Sequence, residues 1–212
     1  MTKNLYVQCG CGWDAPEGWL NFDASPTLRI ERIPVVGTRI SANLKGNPEP
    51  FPTNVQYGDI VKGLPLPDGS CAVVYCSHVL EHLSLRECRK ALANTKRLLR
   101  PGGTFRFVLP DLQLYITRYE QTDGPDAALR FMKDTALGEE ARNRGATGLA
   151  RALLGNSKHR WMWDYPSLER ELLLQGFREV RPAEFGDSVD PLFARVERRE
   201  RWNECIGFEC KV

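Results

Sequence analysis

The sequence predicts an α/β domain: a mostly parallel sheet with helices on both faces. Two observations carry that prediction. Short apolar runs alternate with segments of helical period, the pattern of strand–helix–strand units that build a parallel sheet. The residues that immediately succeed the apolar runs are glycines, carboxylates and imidazoles, and in open parallel sheets ligands bind beyond the carboxyl ends of the strands. A chain of 212 residues with 42% hydrophobic and 26% charged side chains has the size and composition of one globular domain, expected to span 1–212.

The first element, Asn4 to Cys9 (NLYVQC), is short and mostly apolar, a buried strand. Gly10-Cys11-Gly12 then makes a tight turn where backbone can approach a ligand closely. WDAPEG is too short for a crossover helix, and Trp19 to Asp23 (WLNFD) is the second strand. The stretch 24–54 is irregular, with a short helix near Thr27 to Ile33. Val55 to Ile60 (VQYGDI) is the third strand and Cys71 to Cys76 (CAVVYC) the fourth, with LPLPDGS as turn chemistry between them and Ser77 placed to cap the next segment. Apolar positions at Leu85, Cys88, Leu92, Thr95 and Leu99 mark a helix that Pro101-Gly102-Gly103 stops. Thr104 to Leu109 is the fifth strand. From Leu112 to about Leu154 the pattern is helical, broken at Gly124-Pro125 and around Gly145 to Gly148; residues 112–158 are expected to form a helical lid or cap inserted after that strand. Ser167 to Gln175 is a helix capped by Gly176. Phe177 to Phe185 and Glu204 to Val212 close the sheet as a hairpin with a long loop.

Composition narrows the function. A net charge of +2 provides no basic field for nucleic acid or an anionic membrane. The run RVERRERW interleaves its arginines with glutamates and reads as a solvated, salt-bridged face. No signal-peptide run opens the sequence and no segment approaches ~18 apolar residues, so a soluble cytoplasmic protein is expected. The seven cysteines form no framework and are expected to be reduced thiols. Cys9-x-Cys11 is too tight for a zinc knuckle, lacks a matching second pair, and lacks the two-residue spacer of a redox motif; the cysteines read as small packing residues, and no metal is expected.

The glycines and acids therefore carry the ligand reading. The three-glycine dinucleotide fingerprint is incomplete, with Ala15 in the third place. Asp23 arrives about ten residues sooner than the ~20 a dinucleotide site would want. The first crossover lacks the helix whose N-terminus would hold a pyrophosphate. A phosphate-poor nucleoside fits better: Gly10 and Gly12 meeting it with backbone, Asp23 accepting from ribose hydroxyls, Asp59 accepting from an adenine amino group. The competing roles are a turn residue for Asp23 and a helix cap for Asp59.

At these residues the sequence resembles the class I methyltransferases that use S-adenosylmethionine. The matching stretches are VQCGCG, GWLNFDASP, VQYGDI, LPLPDGSCAVVYCSHVLEHL, LLRPGGTFRFVLPDL, HRWMWDYPSLERELLLQGF and REVRPAEFGDS, which run in order from the first strand to position 188. It is most similar to a branch with a glycine turn, a short link to GW-N-D, and HVLEHL, whose members are often associated with cell-surface polysaccharide synthesis. The resemblance implies a Rossmann-like, seven-stranded sheet with an antiparallel last strand. It implies S-adenosylmethionine held by Gly10, Gly12, Asp23, Asp59 and Ile60, with Cys76 and Ser77 near the methionine portion. It implies methyl transfer to an oxygen or nitrogen of a small molecule or glycan. The shortened crossover and the cysteines beside the glycines depart from the broader class.

Methyl transfer needs alignment and, for a protonated acceptor, a base. His78, first after the fourth strand, is the leading base, with Asp111 and His159 as the other catalytic candidates. His82 is expected to be a packed histidine bonded to backbone, with a metal pair of His78 and His82, completed by Asp111 or His159, as the lesser reading. Trp161 and Trp163 in HRWMWDY are an acceptor platform or a hydrophobic anchor. Two other functions compete: a non-catalytic scaffold that keeps the fold, and a nicotinamide-dependent oxidoreductase, which Asp23 and Ala15 disfavour. The acceptor and the oligomeric state are not written in the sequence.

Overall fold

The computed structural model of the chain describes residues 4–34, 49–140 and 158–212. Seven strands form one sheet: β1 (Leu5–Cys9), β2 (Leu20–Asp23), β3 (Val55–Tyr57), β4 (Cys71–Ser77), β5 (Leu99–Pro110), β6 (Arg178–Ala183) and β7 (Cys205–Lys211), in the order β3-β2-β1-β4-β5-β7-β6. Only β7 is antiparallel, inserted between β5 and β6 and opposed to both. The other neighbouring strands pair in parallel. The chain runs outward from β1 in one direction, then returns to β4 on its other side. Strand order therefore reverses between β1 and β4, where an α/β sheet opens a crevice at the strand ends.

Burial explains why these strands read as unbroken apolar runs. Every residue of β4 is buried, and β1 is buried over Val7 to Cys9, because helices and loops cover both faces. Helix α1 (Pro26–Glu31) comes after β2, and α2 (Leu85–Leu98) crosses from β4 to β5. Ser84 starts α2 with a capping box: its Oγ accepts from Glu87 N, and its own N donates to Glu87 Oε2 at 2.9 Å. The buried stripe of α2 is Cys88, Ala91, Leu92, Thr95 and Leu98. From its flank Asn94 Nδ2 donates to the carbonyls of Ile60 and Val61 at 2.8 and 3.0 Å, pinning the turn after β3. Helices α3 (Leu112–Gln121) and α4 (Ala127–Asp134) pair after β5, separated at Gly124-Pro125 as predicted, and bury none of their own residues fully. Helix α5 (Tyr165–Leu174) returns the chain to β6, and Gly176 ends it at φ +82°.

Three details differ from the sequence reading. Strand β3 ends at Tyr57, not Ile60, because Gly58 N turns to bond Asp23 O at 3.0 Å and Asp59 begins a side-chain-bonded turn. Ser77 is the last residue of β4 and caps nothing; Ser84 caps the helix instead. Pro101-Gly102-Gly103 lies within β5, which begins at Leu99 directly after α2, so the helix stops before it reaches the proline. The break expected around Gly145 to Gly148 lies outside the described residues, as does most of the far half of the expected 112–158 lid.

The sheet also buries a charge that hydrophobic pattern alone would not place. Arg106, in the middle of β5, has no exposed surface. Its guanidinium donates to Glu197 Oε1 at 2.6 Å, Asp187 Oδ1 at 2.8 Å, Glu209 Oε2 at 3.2 Å and Glu184 O at 2.7 Å, and lies 4.8 Å from the Trp202 ring centroid. These bonds tie β5 to the β6–β7 loop. Replacing one partner of such a buried pair leaves the other unpaired. Arg106→Met should therefore destabilise the chain by about 3–5 kcal/mol, read as a lower urea midpoint at unchanged slope.

Candidate active site

A cavity of about 600 Å³ opens beyond the carboxyl ends of β1 to β4. Its wall includes Gly10, Asp23, Asp59, Ile60, His78 and His82. That volume lies within the range of small-ligand sites. A smaller cavity of about 260 Å³ is lined only by residues of α3, α4 and their connection.

The glycine turn and Asp23 form a single unit. Gly10 N donates to Phe22 O at 2.8 Å, which folds the turn back over the end of β2. Gly12 N donates to Asp23 Oδ2 at 2.9 Å, and Ser25 N donates to Asp23 Oδ1 at 2.7 Å. Each carboxylate oxygen spends one acceptor position on backbone and keeps another. Asp23 is thus both the turn residue and a cavity acid, and the two sequence readings of it coexist. Gly10 is required twice: its φ is +67°, and a Cβ there would come within 2.3 Å of Val79 Cγ2. Gly12 has φ +55° but open space around it, and it does not line the cavity; its part is the bond to Asp23.

Asp59 stands opposite, at the turn after β3. Its Oδ1 accepts from Val61 N at 2.9 Å, and its Oδ2 pairs with Lys62 Nζ at 3.0 Å. Ile60, almost fully buried, forms apolar wall beside it. Cys76 does not reach the cavity: it packs into the main core cluster, and Ser77 is also buried away from it. Cys9 and Cys11 belong to different core clusters, so their side chains do not converge. Burial, with Asp23 nearby, pushes the Cys11 thiol up to about 12. The Cys9 thiol is raised further, again chiefly by burial.

The other end of the cavity is built around Glu81. After β4 the chain turns sharply: His78 takes φ +54°, an uncommon conformation for a non-glycine residue, and a short 3-10 helix spans Leu80–His82. His78 is held there by its N donating to Val108 O at 3.0 Å and by its Nε2 on Arg201 O at 2.8 Å. Glu81 has no exposed surface. Its Oε1 lies 3.1 Å from His78 Nδ1 and 4.0 Å from His82 Nε2, yet neither carboxylate oxygen receives a hydrogen bond of good geometry among the described residues. Burial pulls the His78 pKa down, but contacts with Cys205, Glu81 and the Arg201 carbonyl outweigh it and raise the pKa to about 10. Both ring nitrogens face acceptors, Glu81 Oε1 and Arg201 O, a setting that favours the protonated ring and weighs against the expected role of His78 as the base.

Asp111 and His159, the other two catalytic candidates, are not in the cavity wall. Asp111 caps α3, its Oδ1 accepting from Gln113 N at 2.9 Å. His159 sits behind His82, ring centroids 5.0 Å apart, and its Nδ1 bonds Thr135 O at 2.8 Å. His82 bonds backbone as expected, through Nδ1 to Lys158 O at 3.0 Å. The aromatic pair divides between its two readings. Trp163 is 2% exposed and anchors the core, whereas Trp161 is 41% exposed and outside the cavity wall. Arg160 does line the cavity, and sequence reading missed it. It arrives there because Arg160 N and Trp161 N both donate to Glu81 O, at 2.7 and 3.2 Å, a contact across nearly eighty residues with no local signal.

Comparison with known proteins agrees with this architecture. A family profile described as a methyltransferase domain matches residues 7–107, from β1 into β5. The fold is shared with an S-adenosylmethionine-dependent methyltransferase from Archaeoglobus fulgidus, at 14% identity and TM-score 0.51, covering 99% of this chain and 86% of that one. It is shared also with a phosphoethanolamine N-methyltransferase from Haemonchus contortus, solved with phosphomonomethylethanolamine and S-adenosylhomocysteine, at 10% identity and TM-score 0.51, covering 99% of this chain and 49% of that one. An uncharacterized 37.1 kDa protein of a Streptomyces fradiae transposon is 29% identical over 128 residues, 60% of this chain and 36% of that protein. The chain thus matches about a third of the length of that curated relative. The fold is that of S-adenosylmethionine-dependent methyltransferases.

The glycine geometry has a measurable consequence. Gly12→Ala should cost only the strain of a left-handed residue, about 1–2 kcal/mol. Gly10→Ala adds the collision with Val79 and should lower the thermal midpoint clearly further, as differential scanning calorimetry of the two variants would show.

Proposed function

We propose that the chain binds S-adenosylmethionine in the 600 Å³ cavity and transfers its methyl group to an oxygen or nitrogen of a small molecule or glycan. One observation carries this reading. Asp23 and Asp59, on adjacent strand ends, face one cavity whose floor is a glycine turn with no room for a side chain at Gly10. The donor set fits the cofactor. The free acceptor positions of Asp23 suit a pair of ribose hydroxyls, Asp59 suits an adenine amino group, and Ile60 offers an apolar face for the base. The missing crossover helix suits a ligand without phosphates. The methyltransferase-domain match over residues 7–107 and the shared fold support the same reading.

When bound, S-adenosylmethionine supplies a methyl group already activated by a sulfonium leaving group. The protein's share is then positioning, which contributes at most roughly 7–11 kcal/mol to lowering a barrier. The Asp23 unit fixes the nucleoside end, because its carboxylate is itself fixed by two backbone N–H groups. The reactive end would lie toward His78, His82 and Arg160. There His78 and Arg160 hold positive charge, which suits an anionic or metal-bound acceptor oxygen better than a cationic amine. The acceptor's proton leaves to water or to a group outside this set, since His78 is already protonated. A scaffold that keeps the fold without catalysis predicts no cofactor affinity, and the same titration separates the two readings.

Calorimetric titration with S-adenosylmethionine should show one site per chain. Asp23→Ala should weaken it more than tenfold while circular dichroism stays native. An unchanged dissociation constant would refute the ribose assignment.

A further inference from the structure

The chain contains three histidines, His78, His82 and His159, and all three gather at Glu81 although they are spread over more than eighty positions. Glu81 is wholly buried, and both its oxygens lack a well-formed hydrogen bond among the described residues. His78 Nδ1 stands 3.1 Å from Oε1, so the unmet part of this buried carboxylate is Oε2, which no donor reaches among the described residues. His82 and His159 share a second feature. Each engages a main-chain carbonyl through Nδ1, His82 with Lys158 O and His159 with Thr135 O. A carbonyl can only accept, so Nδ1 donates in each ring, and Nε2 is the ring nitrogen available to a further partner. Anchoring one ring nitrogen on a carbonyl to aim the other is the outer-shell arrangement of metal-binding histidines. Glu81, His82 and His159 each offer one ligand atom, and these atoms all lie within 4.8 Å of one another.

We propose that Glu81, His82 and His159 form a binding site for one divalent first-row metal ion, at the acceptor end of the cavity. Two imidazoles and one carboxylate are a zinc-type donor set and leave a coordination position for a substrate or water. Ligands 2.1 Å from a tetrahedral ion stand about 3.4 Å apart, so side-chain movements of about an ångström complete the set. His159 lies half-buried beside His82, and His82 lines the cavity together with Arg160, so the cluster borders the cavity. Granted the methyl-transfer reading above, the ion would hold an acceptor hydroxyl oxygen and lower its pKa. The hydroxyl proton then passes to water, and the oxygen lone pair forms the new bond to the methyl carbon as the carbon–sulfur bond breaks. That route needs no free base in the cavity wall. The sequence reading of no metal rests on cysteine spacing and on His82 read as a packed histidine; its lesser metal reading paired His78 with His82, whereas this set has Glu81 in the place of His78.

Zinc affinity is measured on chelator-stripped full chain by competition with a chromogenic chelator, and cobalt loading by its visible absorption. One ion per chain is expected, with His82→Ala and His159→Ala each weakening zinc at least tenfold and Cys205→Ser leaving it unchanged. Circular dichroism accompanies each variant; Glu81→Gln removes a buried charge, so His159→Ala, which removes no core residue, decides if Glu81→Gln fails to fold. No saturable zinc binding by the native chain, or full binding retained by His159→Ala, overturns the site. S-adenosylmethionine is titrated separately on the stripped chain. Cofactor binding without zinc binding rejects the metal alone, and zinc binding without cofactor binding rejects the methyltransferase reading while the site stands.

Discussion

A glutamate with no exposed surface governs the end of the cavity at His78 and His82. Glu81 sits where β4 ends, and taking its charge from water is tolerable only if cations or strong donors surround it. The neighbouring structure is arranged to that end. His78 is turned into a left-handed conformation, at a cost of order 1–3 kcal/mol, that brings its ring to the carboxylate. The Glu81 carbonyl holds Arg160 and Trp161 by their N–H groups, which fixes the entry to α5 and delivers His159 beside His82. The strain at His78 is offset by its bonds to Val108, Arg201 and the glutamate, three contacts from three parts of the chain.

The end of the cavity at Asp23 is built differently. Its parts lie within sixteen residues: the turn at Gly10 and Gly12, the β2 end at Asp23, and Ser25 at the start of α1. Asp23 is bonded before any ligand arrives, so its remaining acceptor positions need no reordering when hydroxyls meet them. That is the condition under which binding energy serves positioning instead of being consumed in ordering the site. Asp59 is fixed in the same manner, by Val61 N on its own turn and by Asn94 of α2 holding that turn from outside.

This difference in range decides what the sequence could disclose. Strands β1, β2 and β4 were legible because burial on both faces demands unbroken apolar runs, and α2 because one stripe is buried and a capping box starts it. The placement of Gly10, Asp23 and Asp59 at the cavity was legible because it depends on local turns at strand ends. The end of β3 was misjudged because Ile60 is apolar for the sake of the cavity wall and not of the sheet. Cys76 was misplaced because strand alternation sends its side chain into the core just before the chain reaches the rim. Arg106 and Arg160 gave no signal at all. The partners of the first lie at 184–209 and the contact that places the second at 81, and neither separation leaves a period in the sequence.

His78 shows where local reasoning stops. A histidine first after a central strand suits a general base by position alone, but basicity depends on the groups that surround the ring. Here a wholly buried carboxylate and a main-chain carbonyl both favour the proton, and together they overcome the burial that would have expelled it. Beside the same glutamate, two other imidazoles are anchored through Nδ1 on the carbonyls of Lys158 and Thr135. One buried carboxylate thus gathers three chemically identical side chains into different hydrogen-bonding settings. That division arises from hydrogen bonds to main-chain atoms, whose positions only the completed fold determines.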